Sequence, residues 1–120
     1  MTALELFTQF FEVKTQAHHL HHITTSYAEH KALGTFYEKW DELADNFIET
    51  YTGRYGRISG EMNIRITSFL DTKIYIDSIV MTLQSNTVRG ILSEVDTDMS
   101  NILDEMLELC NHTSYLLTLK

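Results

Sequence analysis

Proline is absent from all 120 residues, and only five glycines occur. Hairpins and tight turns draw heavily on these two residues, for a preset φ or a positive one. Long helices need neither. What does recur along the chain is an apolar side chain every three or four positions, the period of one helical face. Together these two features predict an all-α fold in a single domain spanning residues 1–120.

Four helices can be read from the spacing. The first covers about residues 2–22, with Leu4, Phe7, Phe10, Phe11, Val13, Ala17 and Leu20 on one face, and Thr2 with Glu5 as a capping box. Ser26 and Glu29 repeat that signature ahead of a second helix over about 27–52. It carries Leu33, Phe36, Tyr37, Trp40, Leu43, Ala44, Phe47, Ile48 and Tyr51, and Gly53 and Gly56 are expected to end it. Residues 53–67 are irregular and predict a short extra segment, with a brief helix near Glu61–Thr67. Ser68 and Asp71 then announce a third helix with Ile74, Ile79, Val80 and Leu83 inward, its far end falling between Asn86 and Val95. Asp96-Thr97-Asp98 opens the last helix, whose apolar residues continue through Leu117. Helices of this kind are marginal alone in water, so their apolar stripes should pack on one another as a bundle.

Charge narrows the function. The formal net charge is −8, and the nine Lys and Arg residues are scattered. Such a chain repels phosphate backbones at long range, so DNA binding is expected to be weak or absent. No apolar run reaches the ~18 residues of a membrane span. The opening Met1-Thr2-Ala3-Leu4-Glu5-Leu6 has no basic stretch, so no secretory signal and a cytoplasmic location are expected. Cys110 is alone and falls within an apolar pattern, which predicts a core residue rather than a nucleophile. Tyr37, Trp40 and Tyr51 cannot all face one core, so part of the second helix is expected to form an interface.

Five of the six histidines lie between residues 18 and 30: His18, His19, His21, His22 and His30. Imidazole is a common metal ligand, though a polar helix end with exposed or hydrogen-bonded rings is the better explanation of such a cluster taken alone. On the second helix Asp41, Asp45 and Glu49 recur every four residues and form one carboxylate stripe, which reads as an ordinary acidic face or as a cation site. His30 and Asp45 are about 22 Å apart along one helix. Metal–ligand bonds are about 2 Å, so one helix cannot use both on one ion. Two copies running antiparallel, with a two-fold axis near Tyr37 and Glu38, would place His30 of one beside Asp45 of the other. Glu105, Glu108 and His112 share a face of the last helix and form a weaker metal candidate.

The intervals from His18 to His30, Asp45 and Glu49 resemble the ligand pattern of the Dps family, the mini-ferritins. The stretch from Thr15-Gln16-Ala17-His18 through Tyr27-Ala28-Glu29-His30 to Tyr51-Thr52-Gly53, with Asn101-Ile102-Leu103-Asp104-Glu105 near the end, is also similar to small Dps-like proteins of tailed bacteriophages. The resemblance implies a ferritin-like four-helix bundle and a di-iron site between subunits that oxidises Fe²⁺. It implies His18 and His30 from one chain with Asp45 and Glu49 from its partner, and Asp41 assisting. It further implies a homo-oligomer, a two-fold dimer or a twelve-subunit cage that stores iron, in the cytoplasm of a host if the chain is phage-encoded. Another divalent metal could replace iron. There are departures. The family usually has Trp after its first histidine and a Lys-Gly turn soon after, whereas His19 follows His18 here and no glycine precedes Gly34. His21 and His22 therefore stand as alternatives to His18. The Lys-rich tails that bind DNA in that family are absent. The other reading is a metal-free oligomeric helical module that binds a partner or builds a structure, with nucleic acid among the candidate associates.

Overall fold

The computed structural model describes residues 1–119. They form five helices: α1 (Ala3–Ile23), α2 (Tyr27–Tyr55), α3 (Thr72–Gln84), the single-turn α4 (Asn86–Arg89) and α5 (Thr97–Leu117). The fold is all-helical, as the absence of proline suggests.

Local signals set the helix starts. The Thr2 hydroxyl accepts from the Glu5 N–H at 3.1 Å, and the Ser26 hydroxyl accepts from Glu29 N–H at 3.2 Å. Each satisfies one of the orphan donors of a first turn. The cap of α3 is Asp71, which accepts from Ile74 N–H at 2.9 Å; Ser68 lies outside the helix. α2 runs past Gly53 and stops only at Gly56, whose φ of 90° a residue with a Cβ rarely adopts. Glycine inside a helix costs only about 1 kcal/mol. That is offset here because the extra turn carries Arg54 and Tyr55, both tied to Asp96 ahead of α5. Tyr55 donates to Asp96 Oδ2 at 2.6 Å and Arg54 donates to Asp96 Oδ1 at 2.5 Å.

Side-chain pairs give the helix directions. α1 and α2 are antiparallel: Phe10 meets Trp40 at 5.9 Å and Phe7 meets Tyr51 at 5.5 Å, both edge-on. The Asp96 tie places the start of α5 at the end of α2, so those two are antiparallel as well. The Ser114 hydroxyl donates to Asp77 at 2.7 Å, which sets α5 antiparallel to α3. Thr72 donates to the buried Glu29 carboxylate, so α3 begins where α2 begins and runs the same way.

The chain must therefore travel the whole length of α1 between Gly56 and Asp71. A helix over those residues, at about 1.5 Å per residue, falls short of the roughly 32 Å of α1; extended backbone at about 3.3 Å per residue covers it. The anchor points on α1 exclude a helix at Glu61–Thr67: Gly60 lies beside Leu4 and Ser68 is bonded by His19, roughly 22 Å further along α1, and eight residues reach that far only when extended. Residues 56–71 instead make an extended strap held by α1 side chains. Glu12 accepts from Arg65 N–H at 2.9 Å. Gln16, itself buried, bonds both Thr67 N–H and Thr67 C=O, at 2.9 and 2.8 Å. His19 bonds the Ser68 hydroxyl at 2.8 Å.

The helices share one apolar core, with Trp40, Phe10, Phe36 and Phe47 as its largest members. Trp40 is a core residue, not an interface one: its indole N–H donates to the Phe10 carbonyl at 3.0 Å. Tyr37 and Tyr51 are half-buried against the core. On α3 the inward stripe is Ile76, Ile79 and Leu83, while Ile74 is 70% exposed. Ile74 lies two residues from Ile76, so a 100° step puts it on the opposite side. Cys110 is buried, and burial pushes its thiol up to about 12, which keeps it protonated and unreactive. Among the described residues no helix is long and apolar enough to cross a membrane.

Hydrogen bonds from Tyr55, the Ser93 backbone and Arg54 hold the Asp96 carboxyl down to about 2. A depressed carboxyl contributes stability that is complete above the unfolded value and lost as pH falls through the folded one. We expect the urea midpoint of the wild type to fall between about pH 4 and pH 2, with a shallower fall in Asp96→Asn, whose midpoint is already lower at pH 7. Superimposable pH profiles for the two proteins would show that Asp96 is not the tie.

Candidate functional site

The histidine-rich end of α1 returns as the start of α2 after a three-residue connection, Thr24 to Ser26. That hairpin brings His18, His21, His22 and His30 together. The His21 and His30 rings stack at 3.8 Å with their planes 16° apart. His21 Nδ1 bonds the His30 carbonyl at 2.6 Å, and His30 Nδ1 bonds the His21 carbonyl at 2.8 Å. A carbonyl only accepts, so both Nδ1 atoms carry a proton. In the neutral ring the lone pair then sits on Nε2. The two residues clasp the hairpin reciprocally, one bond in each direction.

Gly34 makes room for this clasp. A Cβ at that position would lie 3.1 Å from Cε1 of His21. A glycine inside a long helix costs helix propensity, and here the cost is offset by the ring it admits. Next to the clasp, His18 stacks on Tyr37 at 4.1 Å and 13°, with the His22 ring 4.5 Å away. Desolvation, followed by the charges of His22, His21 and Lys14, lowers the His18 pKa and favours the neutral imidazole.

The carboxylate stripe lies further along α2. Asp41 is not free: Lys14 of α1 pairs with it at 3.1 Å, both about one-third exposed. Asp45 and Glu49 are exposed and make no ion pair among the described residues. A single chain therefore gathers the histidines at one end of the α1–α2 face and leaves these two carboxylates apart from them. Among the described residues no three or more His, Cys, Asp or Glu side chains converge on a point that could hold a metal. His19, by contrast, serves the strap. Glu105, Glu108 and His112 line a shallow depression between α2 and α5, and Lys39 intrudes there with a competing positive charge.

Three contributors escaped the sequence reading. Tyr37 is the platform for His18, Lys14 neutralises Asp41, and Gly34 accommodates His21. Only the last left a signal in the sequence, an isolated glycine inside an otherwise unbroken helical pattern.

The clasp yields a double-mutant test. In the wild-type background Gly34→Ala should destabilise, because the methyl displaces a ring held by two hydrogen bonds. In a His21→Ala background the same change should stabilise by up to about 1 kcal/mol, the helix-propensity difference alone. Denaturant titration of the four proteins measures this. Equal effects of Gly34→Ala in both backgrounds would remove Gly34 from the clasp.

No curated protein and no solved structure gives a significant match to the chain. One family model does match, over residues 21–117, and its description is a family of unknown function, DUF5856. The match begins at His21, so it takes in both residues of the clasp and all of α2, α3, α4 and α5, and on that span the chain belongs to the DUF5856 family.

Proposed function

We propose that this protein is a ferritin-like subunit of the Dps type, which binds and oxidises ferrous iron at a site assembled from two chains. Its topology supports this reading: two antiparallel helix pairs joined by one long crossover are the connection that ferritin-like bundles use. The observation that carries it is the separation of ligand types on one outer face. Neutral-favouring His18 and the His21–His30 clasp occupy one end, while Asp45 and Glu49, exposed and without ion pairs among the described residues, lie further along α2.

The donor set suits Fe²⁺. Imidazole and carboxylate together are a common ferrous ligand set. A histidine whose Nδ1–H is bonded to a carbonyl is oriented as metal-ligating histidines usually are, with Nε2 presented. By this reading His18 and His30 serve from one chain, Asp45 and Glu49 from the partner. His21 and His22 are alternates, and Asp41 assists if Lys14 releases it. Iron would supply the electrons that reduce oxygen or peroxide; the chain supplies ligands, geometry and a closed face.

The two-fold partner finds support in the charge order of α2. Lys31 is exposed near its start, and Glu42, Asp45 and Glu49 are exposed toward its end. An antiparallel copy sets the basic end of each helix on the acidic end of the other. Assembly of such dimers into a twelve-subunit store would follow, with DNA binding weak.

A second reading, a metal-free oligomeric module, is favoured by one fact. The His21 and His30 Nδ1 atoms and the Asp41 carboxylate already have structural partners within one chain.

Complementation separates the two. His30→Ala and Asp45→Ala, made separately, should each abolish accelerated aerobic oxidation of Fe²⁺. After subunit exchange, each heterodimer should regain one intact site of its two, a consequence of two-fold symmetry. Wild-type rates in His30→Ala, or absence of rescue on mixing, would sink the shared site. Light scattering on the same samples should show a dimer or a larger assembly. A monomer at micromolar concentration would exclude the proposal.

A further inference from the structure

The strap alternates strictly between two kinds of side chain. Ile58, Gly60, Met62, Ile64 and Ile66 take the even positions, and Arg57, Ser59, Glu61, Asn63 and Arg65 the odd ones. A period of two is the pattern of a half-buried strand. The backbone is extended to match, yet no strand pairs with it among the described residues. A Cβ on Gly60 would meet Leu4, so the even side chains lie toward α1; Ile58, Met62 and Ile64 remain 38%, 39% and 42% exposed. In extended backbone the N–H and C=O of one residue point to one edge, and those of the next residue to the other. Arg65 N–H meets Glu12, and both groups of Thr67 meet Gln16, so the odd residues turn to the edge tied to α1. The even residues turn to the opposite edge. There, no backbone N–H or C=O from Ile58 to Ile66 has a partner among the described residues. Residues 56–65 are all exposed, which leaves that edge accessible.

We propose that this free edge pairs with the same edge of a second copy of the chain, antiparallel about a two-fold axis through Asn63. Charge selects both the partner and the register. With the axis at Asn63, Glu61 of each chain lies opposite Arg65 of the other, so two opposite-charge pairs form. Neither side chain has an ion pair or hydrogen bond of its own among the described residues. Met62 then lies opposite Ile64 and Gly60 opposite Ile66, and these even residues exchange the backbone hydrogen bonds. An axis at Glu61 would set that carboxylate against itself and Arg57 against Arg65. Axes at Gly60, Met62 or Ile64 match no charges within the strap. An axis at Ser59 pairs Arg57 with Glu61 but draws Tyr55, the last residue of α2, into the ladder. Glu12 and Gln16 stay on the outer edges and keep their bonds. An exposed strand edge is a template for another chain, and proline or charge of one sign is the usual protection. The strap has no proline, and its charges are self-complementary. The contact uses neither α2 nor any iron ligand proposed above, so it stands whether or not iron binds; with the α2 dimer it would join dimers into a larger assembly.

Disulfide trapping tests the register. Asn63 faces its own copy in a non-hydrogen-bonded pair, with Cα atoms about 4.5 Å apart, a distance a disulfide spans. Cys110 is buried and does not compete. Under diamide, Asn63→Cys should run as a covalent dimer on a non-reducing gel and Ser59→Cys as a monomer. Both positions are exposed with side chains free of hydrogen bonds among the described residues, so the helical circular dichroism should match the wild type. In the Asn63→Cys background, Glu61→Arg or Arg65→Glu sets like charges opposite each other, and each should lose the covalent dimer. Mixing those two proteins should restore it, because across the mixed pair every charge again meets its opposite. Trapping of this kind is independent of any dimer built on α2, in which Asn63 takes no part. A monomeric Asn63→Cys overturns the paired edge. Equal cross-linking of Ser59→Cys and Asn63→Cys does so too, since it marks random collision, as does a mixture that cross-links no better than its two components.

Discussion

α2 and α3 begin at the same end of the molecule, and much else depends on that. Glu29 and Thr72 are bonded there, so the chain leaving α2 at Gly56 must cross the full length of α1 before α3 can start. A connection that long has to be extended, and extended backbone does not satisfy its own hydrogen-bonding groups. α1 supplies part of what is missing. Glu12, Gln16 and His19 lie three and four residues apart on one side of the helix and bond successive points of the strap. Gln16 is the telling member, since it is a buried polar side chain whose amide bonds donor and acceptor of the same residue, Thr67.

The strap has consequences on both sides of α1. Facing α3, Glu12 holds the strap with one carboxylate oxygen and leaves the other beside a depression that the loosely packed α1 and α3 do not close. Facing α2, the packing is tight. Phe7 and Phe10 meet Tyr51, Phe47 and Trp40 edge-on, and the histidine clasp closes the hairpin at its end. Apolar burial at one of these seams is complete, and at the other it is not.

The clasp also bears on the iron proposal. His21 and His30 hold each other through Nδ1, a role that any folded hairpin could use without metal. The same bonds fix the rings and leave Nε2 as the atom with the lone pair. Structural and ligating roles are therefore compatible in these residues rather than exclusive. Lys14 works in the opposite sense: it removes the charge repulsion on Asp41 that a cation would otherwise relieve, so the cationic attraction of the stripe rests on Asp45 and Glu49.

The sequence by itself determined the helices. Thr2 and Ser26 cap where the spacing places them, and the apolar period of α2 and α5 runs through to their ends, because capping and periodicity are local properties. It also determined that Cys110 belongs to the core. Tertiary structure decided what depends on distant partners. Residues 61–67 are extended because they must reach across α1, which no local propensity encodes. α2 passes Gly53 because Asp96, more than forty residues away, holds Arg54 and Tyr55. Trp40 lies inside with its indole N–H on the Phe10 carbonyl, and Ile74 lies outside because Ile76, Ile79 and Leu83 are the side of α3 that meets the core. The histidines were legible as a cluster, but their division of labour was not. Which ring clasps, which stacks on Tyr37 and which anchors the strap depends on where α1 meets α2 and the crossover, and only the packed chain settles that.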